Sequence, residues 1–401
     1  MAPLADFGRK SSLASLIEAV SDFIAGPQAK WEDVPFAPGR FNHAGRAREG
    51  LAATRDLEAG EQLVSVPRAL QVPSQEELGA SRFRGIHAGP FFKSSIVLAE
   101  RHRLWLAGRG QSLGIGPQSA RVAVAQLESW PTLQQLRSQG IPLLAPPEEL
   151  DALRGLPGVE SIPLRVDTMK QDLLRSFEEY LQDQDCNNQV TWEDVLWGAA
   201  ISLSKIFQQA GDKATLAPVA DAFGHADSNA TPNTEWAITS DGPLHFWTTR
   251  PVHKGEELTF DSMPSGEFGA LYNEGAVVPA DPRIAWAPSA ADCSKLQALL
   301  LGPDNPLVPR KSGPLLANVR SLVQARCSGP DTAAVKAPEA APEPPAAGHP
   351  LLHSSRKQGH HAAHHRHANP HRHVGKDAAM RAGKALMDDI YQPKQDLVKF
   401  L

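Results

Sequence analysis

The sequence predicts an α+β protein whose strands come from two separated stretches with a helical segment between them. Three observations predict it. Short runs of alternating apolar and polar residues, bounded by Gly, Pro and Asp turns, occupy Arg48 to Pro67 and Thr234 to Ser262. Between them, residues 91–190 carry apolar side chains at helical spacing. The 401 residues exceed one ordinary core, so two folded units plus tails are expected. Apolar content of 41% and charged content of 21% fit a soluble globular chain, and a net charge of −5 gives no reason to expect nucleic acid. No apolar run approaches the ~20 residues of a membrane span, so no membrane partner is expected.

Leu13, Leu16, Ile17, Val20, Phe23 and Ile24 repeat at helical spacing and stop at Gly26-Pro27, which predicts an amphipathic helix over 12–25 docked on the domain that follows. REGLAATRDLEAGEQLVSVP predicts two short strands around a turn at Glu58-Ala59-Gly60-Glu61. In the next segment Ile96 to Leu106, Pro146 to Leu153 and Leu164 to Leu181 are helical, with Met169, Leu173, Phe177 and Tyr180 on one packing face. RGQSLGIGPQ sits between helical patterns and does not follow a strand, so it is no phosphate loop. Thr191 with Asp194 caps a helix over Trp192 to Gln209, where Trp197, Ile201, Ser204 and Phe207 share a side and Lys205 is an ordinary C-terminal cation.

Leu216 to Ser262 concentrates polar chemistry. Asp221 and His225 lie four apart between Pro218 and Pro232, in a stretch too broken for a long helix and therefore a loop meeting buried structure. TEWAIT and LHFWTT pair across a turn at Ser240-Asp241-Gly242-Pro243, and Gly255 turns the chain into a strand beginning at Glu256-Glu257. Ser294 to Leu301 and Leu315 to Arg326 are short helices, too little for a core of their own. Pro, Ala and Gly dominate from Ser328, and the run HHAAHHRHANPHRH lacks a fold to fix metal geometry. Cys186, Cys293 and Cys327 show no metal spacing and no paired framework, which suits a reducing compartment. MAPLADFGRKSS makes a weak transit signal, and no secretory apolar region follows it.

REGLAATRDLEAGEQLVSVP, LSKIF, LAPVADAFGH, GEELTFDS and ALYNEGAVVP, in that order, resemble the SET-domain protein methyltransferases. The branch they resemble includes the Rubisco large-subunit lysine methyltransferase and the actin histidine methyltransferase, and the resemblance covers roughly residues 12–280. It implies a SET-domain β-fold split by a helical insert, with a reduced helical C-terminal region and a disordered tail. The corresponding boundaries are an N-terminal helix in 1–30, SET parts in 31–90 and 191–278, an insert in 91–190, a helical remnant in 279–328 and a tail in 329–401. It also implies S-adenosylmethionine as cofactor, a lysine-bearing protein as substrate and a monomer, and leaves cytoplasm and chloroplast both open.

By position, the resemblance lays Arg48, Glu49, Gly50 and Leu51 along the cofactor through backbone contacts, with Lys205, Gly224 and His225 also at the cofactor. Phe207, Asp221 and Trp236 fall along the substrate channel, where a π face suits a cationic substrate. Departures accompany these matches. Arg48 stands where the family has glycine, and Gly224 replaces an asparagine whose amide would hold the cofactor's amino-acid end. Ser262 occupies the catalytic tyrosine position, Glu274-Gly275-Ala276 replaces a Tyr-Gly-Phe signature, and Tyr272 is the candidate substitute for the missing phenol. The alternative reading is therefore a catalytically degenerate SET-fold protein that acts as a protein-binding module.

Overall fold

The computed structural model describes residues 12–25, 34–43, 46–86, 89–113, 116–209, 213–226, 231–239, 242–260, 289–301 and 313–327. Helix α1 (Ser12–Ala25) buries Leu13, Leu16, Ile17 and Val20, as its periodicity requires. Its main partner is α5 (Pro117–Ser129), where Arg121 also reaches Asp22 at 2.6 Å, so the stripe docks chiefly on the helical segment far along the chain.

Strands β2 (Arg46–Ala53) and β3 (Gln62–Val66) form as expected, with Gly60 at φ +81° in the turn between them. They do not pair with each other. β2 pairs with β1 (Phe36–His43), which the sequence pattern did not reveal because Pro38 and Gly39 punctuate it, and β3 pairs with β8 (Leu244–Thr248). The connection is spent elsewhere: Leu57, 2% exposed, exchanges backbone hydrogen bonds with Val252 at 2.9 and 3.0 Å. A five-stranded sheet runs β3-β8-β7-β9-β6, where β7 is Thr234–Ile238, β9 Thr259–Phe260 and β6 Gly224–His225. β7 and β8 make the expected antiparallel hairpin, while β9 lies parallel to both β7 and β6.

The helical body comprises the short helices α2 (Gln75–Gly79) and α3 (Ser81–Arg84), then α4 (Pro90–Leu106), α5, α6 (Leu133–Gln139), α7 (Pro147–Leu153), α8 (Ser161–Leu181) and α9 (Trp192–Lys205). Met169, Leu173, Phe177 and Tyr180 of α8 are all buried. Tyr180 donates to Glu100 at 2.5 Å, and burial together with that carboxylate pushes its phenol far up. A Cβ at Gly198 of α9 would overlap the Ser95 carbonyl of α4, so glycine lets the two backbones touch.

The predicted capping box of Thr191 and Asp194 starts α9, but the helix stops at Lys205 and not at Gln209. Ile206 is extended and Phe207 opens β4 (Phe207–Gln209), paired with β5 (Lys213–Thr215). Tertiary packing overrides the helical pattern here, because the Phe207 ring is taken into an aromatic group of the sheet.

Two C-terminal helices, α10 (Ala290–Leu301) and α11 (Pro314–Cys327), add Leu296, Leu300, Leu315, Leu316, Val319, Leu322 and Val323 to the helical core. The Glu149 carboxylate accepts from the Leu316 N–H at 3.2 Å, fixing the start of α11. Cys293 and Cys327 form a disulfide across this helical pair, which corrects the expectation of unpaired cysteines. Their separation of 34 residues carries no spacing signature, and the fold alone brings them together.

Candidate active site

The short segment Glu256 to Phe260 ties the first strand region to the second. Gly255, at φ +84°, makes the turn and donates to the Ala53 carbonyl at 2.8 Å. Ala53 then donates to Glu256 O at 2.9 Å, Ala52 bridges Glu257, and Leu258 donates to Leu51 O at 2.8 Å. On the other edge Gly224 donates to Leu258 O at 2.9 Å and Ala226 to Phe260 O at 3.0 Å. The stretch 256–260 therefore has β2 on one side and Gly224-His225 on the other, although these lie far apart in sequence.

The two glutamates of the turn serve this joint. Burial opposes ionisation of Glu256, yet Arg250, the His253 N–H and Asn233 outweigh it and hold the carboxyl below its ordinary range. A Cβ on Gly50 would lie 3.0 Å from Glu257 Oε1 and 3.3 Å from the Phe41 ring, so the missing side chain lets protein pack there. Glu49 is exposed, Leu51 is fully buried, and Arg48 lies opposite Phe41 in the register with β1. Asn233, 1% exposed, was not singled out by sequence. Its amide donates to Glu257 O at 2.8 Å and accepts from the Thr259 N–H at 2.7 Å, and the Pro-Asn pair before a strand is the signal that would have found it.

Phe207 stands beside this joint. Its ring lies 5.1 Å from Trp236, 5.6 Å from Phe246 and 5.7 Å from Phe260, all edge-on or tilted, and Trp236 faces Phe246 across the β7–β8 pair. Phe207, Phe246 and Phe260 are buried, whereas Trp236 is half-buried.

Asp221 sits in a 3-10 turn, Ala220–Ala222, that leads into β6. The residue keeps some exposed surface, but its carboxyl group is enclosed and accepts from Trp130 Nε1 at 2.5 Å. Burial raises its pKa above the ordinary value, and Lys205 and Trp130 oppose that rise without cancelling it. Lys205 Nζ donates to the main-chain carbonyl of the same residue at 3.3 Å, so the cation closing α9 is anchored at this turn. Trp130 was not among the sequence candidates; a Trp-Pro pair closing a helical pattern is the only trace it leaves.

The structure thus brings Gly50, Leu51, Gly224 and the His225 backbone to one strand joint, with Lys205, Asp221, Phe207 and Trp236 on the elements packed beside it. Ser262, Tyr272 and Glu274 lie outside the described residues. No group of three or more His, Cys, Asp or Glu capable of holding a metal occurs among the described residues, and no described helix is long and apolar enough to cross a membrane.

The architecture is that of a SET domain. The chain is similar to the solved SET domain of LSMT bound to lysine and AdoHcy, with a TM-score of 0.50 at 14% identity over 72% of this chain. It is likewise similar to Rubisco LSMT bound to AdoMet, with a TM-score of 0.52 at 16% identity over 68% of this chain. It spans 65% and 57% of those chains, less than two thirds of either. No protein-family model matches the sequence, and no curated protein is similar to it at a significant level.

Proposed function

We propose that this protein is an S-adenosylmethionine-dependent protein-lysine N-methyltransferase. The observation that supports it is the joint at 256–260, which sets Leu51 beside Gly224-His225 within a SET-domain fold. The proteins it resembles in fold are solved with AdoMet, AdoHcy and lysine. The residues suit such a cofactor. Lys205 has three N–H donors, of which the Asp221 carbonyl takes one, so it can also meet a carboxylate. Trp236, half-buried beside Phe207, carries a π system of the kind that suits a positive methyl-bearing group or an ammonium.

When bound, the cofactor supplies a methyl carbon activated by a sulfonium. The chain's own task is to hold a neutral lysine amine in line with that carbon and to keep water out, which is positioning more than bond chemistry. Buried Phe207, Phe246 and Phe260 provide an apolar wall for this.

The second reading, a SET-fold module that binds protein without catalysis, is favoured by Ser262 at the tyrosine position and by Gly224 in place of an amide. Calorimetry with S-adenosylmethionine, paired with transfer of a labelled methyl group to proteins of a cell extract, separates the two. The enzyme reading expects saturable binding and labelled lysine. Binding without label transfer leaves the module, and no binding removes the methyl-donor reading. Ser262→Tyr is expected to raise methyl transfer if the absent phenol limits it; an unchanged rate in a folded variant contradicts that account.

A further inference from the structure

Trp130 is held before it reaches Asp221. Pro131 follows it, so Trp130 is driven out of the helical region and closes α5 in an extended conformation (φ −85°, ψ 150°). The Pro131 carbonyl accepts from Trp197 Nε1 at 3.0 Å, pinning the corner to α9, and Thr132 begins α6 with a capping box. The indole packs 6.1 Å from Trp197 and is only 7% exposed. Its N–H is a buried donor on a side chain that the corner and Trp197 also hold, and it donates to Asp221.

The other partner is constrained independently. Val219 is the one non-glycine residue with positive φ among the described residues, at φ +69° and ψ −38°. A β-branched residue there is strained, and the strain lies in the turn that presents Asp221. Lys205 holds the carbonyl of the same residue from a third element. A backbone carbonyl or an asparagine would satisfy a buried indole at less cost than an enclosed carboxyl group. An acid kept here, in a strained turn three residues before Gly224, indicates use more than packing.

We propose that Trp130 is a positioning residue, contributed by the helical insert, that orients the Asp221 carboxyl group toward the cofactor and amine end of the site. The proposal rests on the methyltransferase reading for what the site binds. The indole takes one of the acceptor positions of the carboxyl group and leaves others for an amine N–H. The insert is then part of the site and not only a structural shell. The indole bond also favours the ionised acid, so its removal moves the Asp221 titration further upward.

The test follows the 15N-labelled indole resonances of the full chain across pH. One resonance, assigned by its loss in Trp130→Phe, is expected to titrate with Asp221, to stop titrating in Asp221→Asn and to shift on adding S-adenosylmethionine. In Trp130→Phe, the 13C-carboxyl resonance of Asp221 is expected to titrate at higher pH and the affinity for S-adenosylmethionine to fall about tenfold, the size expected for a lost hydrogen bond to a charged group. A pH-independent indole, or a folded Trp130→Phe with unchanged titration and affinity, overturns the proposal. If wild type titrates as described but binds no S-adenosylmethionine, the methyltransferase reading falls and the positioning role with it, while the Trp130–Asp221 bond is still measured. If Trp130→Phe does not fold, the resonance is assigned as the one that stops titrating in Asp221→Asn, and its failure to shift on adding S-adenosylmethionine to wild type overturns the proposal.

Discussion

Asp221 carries an enclosed carboxyl group in the turn that leads into β6. Its pKa is raised above the ordinary 3.8 by burial. Between the ordinary and the raised value the folded chain keeps a proton that the unfolded chain has lost, so this residue's contribution to stability falls as pH rises through that window. Asn at this position keeps an acceptor for Trp130 and has no charge to bury. Urea unfolding of Asp221→Asn should therefore show a stability advantage over wild type that grows as pH rises above 3.8; a pH-independent difference contradicts the assignment. Two glycines make a contrasting pair. Gly198→Ala drives a methyl into the Ser95 backbone and is expected to cost about 1–3 kcal/mol or more in urea unfolding, whereas Gly50→Ala meets the movable end of Glu257 and is expected to cost less. Equal losses would mean that the α4–α9 contact is looser than described.

At the scale of elements, the pattern of apolar residues revealed those whose burial repeats regularly. The α8 face of Met169, Leu173, Phe177 and Tyr180 and the TEWAIT–LHFWTT hairpin are of this kind. Features set by long-range partners were not legible. β1 carries Pro38 and Gly39, β4 begins where Phe207 leaves the helical pattern for the aromatic group, and β2 and β3 part company at Leu57. Cys293 and Cys327 belong here too, because two helices had to fold back before the sulfurs could meet. Closing a loop of this size is worth about 3–4 kcal/mol in the chain-entropy picture. Reduction, or Cys293→Ser with Cys327→Ser, should lower the unfolding midpoint in urea, with the loss concentrated in α10 and α11 by hydrogen exchange. An unchanged midpoint would mean that packing on α6 and α7 alone holds these helices.

For the whole molecule, the candidate site was legible in its parts and not in its joining. Asp221, His225, Lys205 and the Gly-Glu-Glu turn could each be singled out, but as an ordinary loop, a helix-end cation and a surface hairpin. Their proximity depends on hydrogen bonds from 256–260 to both β2 and Gly224, which no local pattern encodes. Trp130 and Asn233 escaped notice for the same reason: each acts on a partner far away in sequence.

The central claim is that β2, the end of α9 and the turn from Asp221 to His225 form one site for S-adenosylmethionine. Hydrogen exchange of the full chain with and without S-adenosylmethionine measures it directly. The account predicts slowed exchange together in peptides covering 46–53, 205–207 and 221–225. No slowing at saturating S-adenosylmethionine, or slowing confined to elements outside this group, would contradict it.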